Sequence, residues 1–291
     1  MKLKSIDGKV VKIVSNRYTV KCGDKSYKAF ARGKLRLQGD IYVGDNVKIV
    51  FERGEAVIDE VKPRINSLIR PFVANVDSAL IVVAKEPEPD MLLIDKIIIN
   101  CHLEGITPVL VYNKSDLATD AEINALFKPY EGYIDCIKVS AYTKTGLNEL
   151  GQYIKDKVVC FAGQSAVGKT SLLNAILDLN LKTDGLSEKI KRGKNTTRHV
   201  EIYEAFDGMV MDTCGFSMLS IVSIDENDLR YYYEDFLPLQ EGCRFNSCTH
   251  TEEPDCAVKN AVEKGALDKA RYDRYIAIFE EIKEHRRRQY D

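Results

Sequence analysis

Gly163-Gln164-Ser165-Ala166-Val167-Gly168-Lys169-Thr170 is the stretch on which the reading of this chain turns. It fits G-x-x-x-x-G-K-[ST], and its flanks supply the context such a loop needs: the apolar run VVCFA before it and a helical pattern from Lys169 onward. The glycines let successive backbone N–H groups turn inward around phosphates, and the helix start adds positive potential. Lys169 is placed to bridge β- and γ-phosphates, and the Thr170 hydroxyl to ligate Mg²⁺. Residues 163–171, ending in Ser171, are therefore the nucleotide-binding candidates of this segment.

Working outward, apolar strand candidates at 79–84, 108–112, 134–139, 158–162, 200–205 and 209–212 alternate with helical patterns. The helices are expected at 91–103 (with Asp90 as N-cap), 118–127, 145–155 and 169–177. That alternation predicts a multidomain α/β chain whose central sheet is parallel and covered by helices on both faces.

Base identity is read elsewhere. Asn113-Lys114-Ser115-Asp116 follows the strand at 108–112. A carboxylate at Asp116 can accept from both N1–H and the N2 amino group of guanine. Adenine offers no such pair of donors, so an ATP-dependent enzyme is disfavoured. Asn113 is expected to hold neighbouring loops, and the Lys114 stem to lie over the base. Ser140-Ala141, after the next strand, supplies a backbone N–H for guanine O6.

Asp212-Thr213-Cys214-Gly215 fits D-x-x-G, with Asp212 near Mg²⁺ and the Gly215 N–H at the γ-phosphate. Of Thr196 and Thr197 upstream, one should close over Mg²⁺, and Thr197 is favoured. The order is the informative part. A conventional GTPase runs P-loop, switch Thr, DxxG, NKxD, SA; here NKSD and SA come first, a circular permutation.

The formal net charge of the 291 residues is −2, but residues 1–70 hold 16 Lys/Arg against 8 Asp/Glu, a net of +8. The first 63 residues alternate short β-branched runs with Gly and Asp turns, which predicts a five-stranded OB-like barrel. Arg32, Lys34 and Arg36, near Tyr27 and Phe30, are its RNA-binding candidates. The longest apolar run, ALIVVA, is far below the roughly 20 residues of a membrane helix, and the N-terminus lacks a signal-peptide core. Five of the eight cysteines are scattered. A reducing, cytoplasmic setting is expected, with no membrane partner.

Cys243, Cys248, His250 and Cys256 crowd near the C-terminus. Three thiolates and one imidazole make a closed tetrahedral set, which predicts one structural Zn²⁺. Helices are expected around it at about 226–236 and 258–288, giving a zinc-binding helical domain. The expected division is 1–63, a barrel; 64–225, a permuted GTPase domain; and 226–291, the zinc domain.

In the order of its motifs, together with the barrel, the Arg64-x-Asn-x-Leu-x-Arg70-Pro and Ala74-Asn-Val-Asp77 stretches and the terminal cysteine cluster, the chain resembles the bacterial circularly permuted GTPases of the RsgA (YjeQ) type. The resemblance spans essentially the full length. It implies GTP hydrolysis to GDP and phosphate, stimulated by the small ribosomal subunit during its late maturation, contact with 16S rRNA, and release of other assembly factors. One departure from Ras-like chemistry stands out: Phe216 occupies the position of the water-orienting Gln after DxxG, so intrinsic turnover should be slow. His199, in a loop rich in cations, is the candidate for positioning water, as the resemblance implies for a histidine in this stretch. Lys169, Thr197 and His199 thus form the expected catalytic set, in a chain expected to be monomeric. The alternative is an RNA-binding chaperone controlled by nucleotide, with hydrolysis incidental.

Overall fold

The computed structural model describes residues 5–37, 39–69, 72–183, 200–212 and 224–290. The N-terminal runs form β1 (Ser5–Val14), β2 (Arg17–Cys22), β3 (Lys25–Ala31), β4 (Asn46–Glu52) and β5 (Glu55–Val61). They pair as β1-β2-β3-β5-β4, and β4 returns to β1, so the barrel closes and leaves no free edge. Alternation places Val10, Val20, Val47, Ile49 and Ile58 inside, all fully buried.

A short hairpin that periodicity does not announce, β6 (Ser67–Ile69) with β7 (Phe72–Ala74), joins barrel to sheet. It is fastened on both sides. Arg64 Nε donates to the buried Asp45 at 2.7 Å and stacks its guanidinium 3.8 Å from the Tyr42 ring centroid. Asn75 Nδ2 donates to the Gly44 carbonyl, and Asn66 exchanges two hydrogen bonds with the backbone of Val76.

The central sheet runs β10-β9-β8-β11-β13-β12, from β8 (Ser78–Val83), β9 (Thr107–Tyr112), β10 (Asp135–Lys138), β11 (Val158–Ala162), β12 (Glu201–Ala205) and β13 (Gly208–Asp212). Neighbours from β10 to β13 are parallel. The expected all-parallel sheet is corrected at one edge, where β12 returns antiparallel through a tight turn at Phe206 and Asp207. No crossover helix fits between strands so close in sequence, so only a hairpin can join them. Beyond it, a single pairing of Lys12 with Glu201 links β12 to β1.

Both faces of the sheet are covered. Ala79, Ile81 and Val83 meet α1 (Met91–Leu103) and α2 (Asp120–Phe127); Leu80 and Val82 meet α3 (Leu147–Ile154) and α4 (Lys169–Thr183). Asp90 caps α1 as expected, its carboxylate accepting from Leu93 N. The helix expected from residue 118 starts at Asp120, because Thr119 and Glu122 form a capping box.

The C-terminal unit differs most from expectation. The helix predicted at 226–236 is a single 3₁₀ turn, Leu229–Tyr232, followed by the short α5 (Leu237–Gln240). Asp225 accepts from the backbone of Asn227, a local turn that competes with helix, and Tyr233 and Phe236 go into the core. The long helix predicted at 258–288 is two: α6 (Ala257–Glu263) and α7 (Lys269–Tyr290), broken at Gly265, with Asp268 accepting from Arg271 N. No helix among the described residues is long and apolar enough to cross a membrane.

Candidate functional site

Parallel strands deliver the ends of β8, β9, β10, β11 and β13 to one edge of the sheet, where α/β proteins bind ligands. Motifs far apart in the chain therefore meet. The phosphate-loop segment follows β11, NKSD follows β9, Ser140-Ala141 follows β10, and Asp212 ends β13.

The loop geometry explains two glycines. Gly163 sits at φ +112°, where a Cβ would lie 2.3 Å from the Val82 carbonyl oxygen. Gly168, at φ +95°, brings its backbone so near Asn113 that a Cβ would lie 2.5 Å from Nδ2. Both are beyond any L side chain. Ala166 also takes positive φ, and Val167 is buried beneath the loop. Ser165, Thr170 and Ser171 are exposed at the mouth, and the first turn of α4 has no acidic residue to cancel its positive end.

Asn113 is 1% exposed and holds two loops together: Nδ2 donates to the Val167 carbonyl at 3.0 Å, and Oδ1 accepts from Ala141 N at 3.1 Å. This is the bridging role expected of it. Lys114, in the left-handed region, reaches the carbonyls of Glu86 at 2.8 Å and Ala166 at 3.0 Å. Lys169 Nζ lies 2.7 Å from the Gly163 carbonyl oxygen and also donates to that of Gln164. Asp116 is exposed at the edge and accepts from the Ser140 hydroxyl, which in turn accepts from Thr143 N. Thr196, Thr197, His199, Gly215 and Phe216 lie outside the described residues.

One contributor escaped the motif reading. The segment after β8, Glu86-Pro-Glu-Pro-Asp90, wraps the phosphate loop: Gln164 Oε1 accepts from Asp90 N at 3.0 Å and Nε2 donates to the Glu88 carbonyl. Its signal was its place, a Pro-rich break at the carboxyl end of a central strand.

At the other end of the chain, the ligand atoms of Cys243, Cys248, His250 and Cys256 all lie within 4.8 Å of one another. His250 Nδ1 faces the sulfurs, 3.4 Å from Cys256 and 3.6 Å from Cys243. Burial pushes the Cys248 thiol up to about 12 and draws His250 down to about 4. A divalent cation reverses the cost of thiolate charge, and a neutral imidazole is the form that ligates, so the donor set fits a metal ion. The supporting shell is built in: Tyr272 donates to the His250 carbonyl, Tyr275 to that of Thr249, and Lys259 N to Cys256 Sγ. Glu253 gathers Thr249 and Thr251 through their backbone N–H groups. None of these four helpers was legible from ligand spacing alone.

The RNA candidates on the barrel are partly neutralised. Arg32 pairs with Glu52 and Asp59, and Lys34 lies 3.7 Å from the same Asp59. Arg36 falls in the adjacent 3₁₀ turn Gly33–Leu37. Arg17 instead lies over the ring of Phe30.

A protein-family model described as RsgA GTPase matches residues 61–222. The chain belongs to the RsgA GTPase family. Among curated relatives, the small ribosomal subunit biogenesis GTPase RsgA of Caldanaerobacter subterraneus subsp. tengcongensis is 43% identical, the match covering 99% of both chains. That of Geobacillus kaustophilus is 40% identical, over 97% of this chain and 99% of the relative. Among solved structures, YjeQ from Thermotoga maritima superposes with a TM-score of 0.82 at 36% identity, covering 96% of this chain and 99% of that one. YloQ, described as a circularly permuted GTPase, gives 0.81 at 33%, covering 97% and 96%. Membership in the RsgA GTPase family makes this chain a GTP hydrolase, and the permuted motif order agrees with the description of YloQ.

Proposed function

We propose that the chain hydrolyses GTP as a timed switch in late maturation of the small ribosomal subunit, which stimulates it. The observation that supports this reading most is Asn113, whose one amide ties the phosphate loop to the Ser140-Ala141 loop at the sheet edge. In this reading Asp116 accepts from guanine, Ala141 N donates to its O6, and the Lys114 stem covers the base. Lys169 leaves the loop carbonyls for the β- and γ-phosphates. Thr170, Asp212 and Thr197 hold Mg²⁺, which neutralises charge building on the transferring phosphoryl group. The Gly215 N–H meets the γ-phosphate. His199 positions the attacking water in place of the glutamine that Phe216 replaces.

The four-donor cluster holds one structural Zn²⁺, since a closed Cys₃His set leaves no open position for catalysis. Barrel and C-terminal unit bring the chain to 16S rRNA, with other assembly factors nearby, and the protein acts as a cytoplasmic monomer.

GTP turnover with and without purified small subunits tests the reading. Turnover should rise at least about tenfold with subunits, and His199→Ala should lose about 100-fold of that stimulated rate while binding GTP normally. Equal turnover with and without subunits would favour the RNA-binding chaperone, and unchanged turnover in the variant would remove His199 from the mechanism.

A further inference from the structure

Asp95 lies on α1, 1% exposed, yet it is fully engaged. It accepts from Arg271 Nη1 at 2.8 Å, from Arg274 Nε, and from the Tyr130 hydroxyl at 2.7 Å. Arg271 is itself buried, sandwiched with its guanidinium 4.8 Å from the ring centroids of both Tyr130 and Tyr233. Its other edge grips the buried Asp235. An ion cluster this dry contributes little net stability against a well-packed apolar alternative, so its geometry asks for another account.

The two ends of that geometry are the two sites described above. At one end, α1 begins at Asp90, whose backbone N–H is held by the phosphate-loop side chain of Gln164. The preceding turn is held by Lys114 through the Glu86 carbonyl. At the other end, α7 carries Arg271 and Arg274 beside Tyr272 and Tyr275, which donate to the backbone of His250 and Thr249 in the metal cluster. A continuous run of directional bonds therefore joins phosphate loop, α1, Asp95, α7 and metal cluster. Part of it must change when nucleotide binds: Lys169 now occupies the carbonyls of Gly163 and Gln164, and phosphate competes for that ammonium group. A ligand that exchanges such contacts has the differential interaction that coupling between sites requires.

We propose that Asp95 is the positioning residue through which the nucleotide site and the metal-bearing C-terminal unit sense each other, by way of α1. This route rests on the GTPase reading above.

Amide hydrogen exchange on the full chain, with and without GDP or guanosine imidotriphosphate, tests it. In the wild type, nucleotide should slow exchange about threefold or more in the phosphate loop, across 91–103 and across 269–282. Asp95→Asn should keep the first response and lose the response at 269–282. Asp235→Asn is the control, because it also leaves Arg271 with one carboxylate but leaves the bonds to α1 intact; it should respond as the wild type does. Arg274→Met, which cuts the less buried half of the same link, should lose the 269–282 response and serves if Asp95→Asn does not fold. A response at 269–282 that survives in Asp95→Asn or Arg274→Met, that is absent in the wild type, or that is lost equally in Asp235→Asn overturns the proposal. If the phosphate loop itself shows no nucleotide protection, the failure lies with the nucleotide-site reading and the proposal falls with it.

Discussion

Asn113 shows how much one side chain can carry at this site. Its amide is the right shape to donate to one loop and accept from another, and burial makes each bond costly to lose. Asn113→Ala strands the Val167 carbonyl and the Ala141 N–H without partners. The loss should cost about 1–3 kcal/mol, and guanine-nucleotide affinity should fall about tenfold or more as the two loops lose register. Titrating a fluorescent GDP analogue into variant and wild type checks this; equal affinity would mean the loops hold themselves. The residue was legible because NKSD follows a strand, whereas its two bonding partners were not. They lie 28 and 54 positions away, and only the fold brings them near. The same holds for Arg32 and Lys34, which read as open cations until Glu52 and Asp59 arrive from β4 and β5.

At the scale of single elements, boundaries followed local chemistry wherever a cap was written in the sequence. The start of α2 is the clearest case. Glu122 accepts from Lys85 Nζ and from Thr119 N, and these contacts, the lysine first, hold its carboxyl down at about 2 against an ordinary 4.5. Because the folded value is depressed, the contribution is complete above about pH 4.5 and disappears as pH falls toward 2. Glu122→Gln should therefore be less stable than wild type at neutral pH, with the gap closing on acidification. Urea midpoints for both proteins between pH 7 and 2 measure it, and a gap that stayed constant would show that the carboxylate charge is irrelevant to the cap. Where no cap or breaker ruled, prediction slipped. The stretch at 226–236 has helical periodicity, but its aromatic side chains follow the C-terminal core rather than a helix face. The split of the last helix at Gly265 followed a breaker that periodicity alone had overridden.

On the scale of the whole molecule, the Cys₃His loop and α7 are bonded to each other. Tyr272 and Tyr275 reach from α7 to the ligand loop, and Tyr233, Tyr275 and Phe236 fill the shared core beneath it. Stripping the metal with a chelator should release this unit, since four clustered donors, three of them buried, leave little reason for the loop to close without a cation. The chain has no tryptophan, so tyrosine fluorescence reads the change directly. A rise in quencher access after chelation, reversed by adding back one equivalent of Zn²⁺, is expected. Full protection after complete metal removal would show that the core suffices without it.

Motif spacing, strand and helix periodicity and the charge split by themselves determined the phosphate-loop motif, the place of NKSD and Ser140-Ala141 after their strands, the permuted order, the barrel and the Cys₃His cluster. These are legible because each depends on residues close together in the chain, where spacing translates directly into geometry. Tertiary structure alone decided the wrap of 86–90 around Gln164, the neutralisation of the barrel cations and the Asp95–Arg271 node. All of these join residues that only packing makes neighbours, and a pair distant in sequence carries no local signature before the chain has folded.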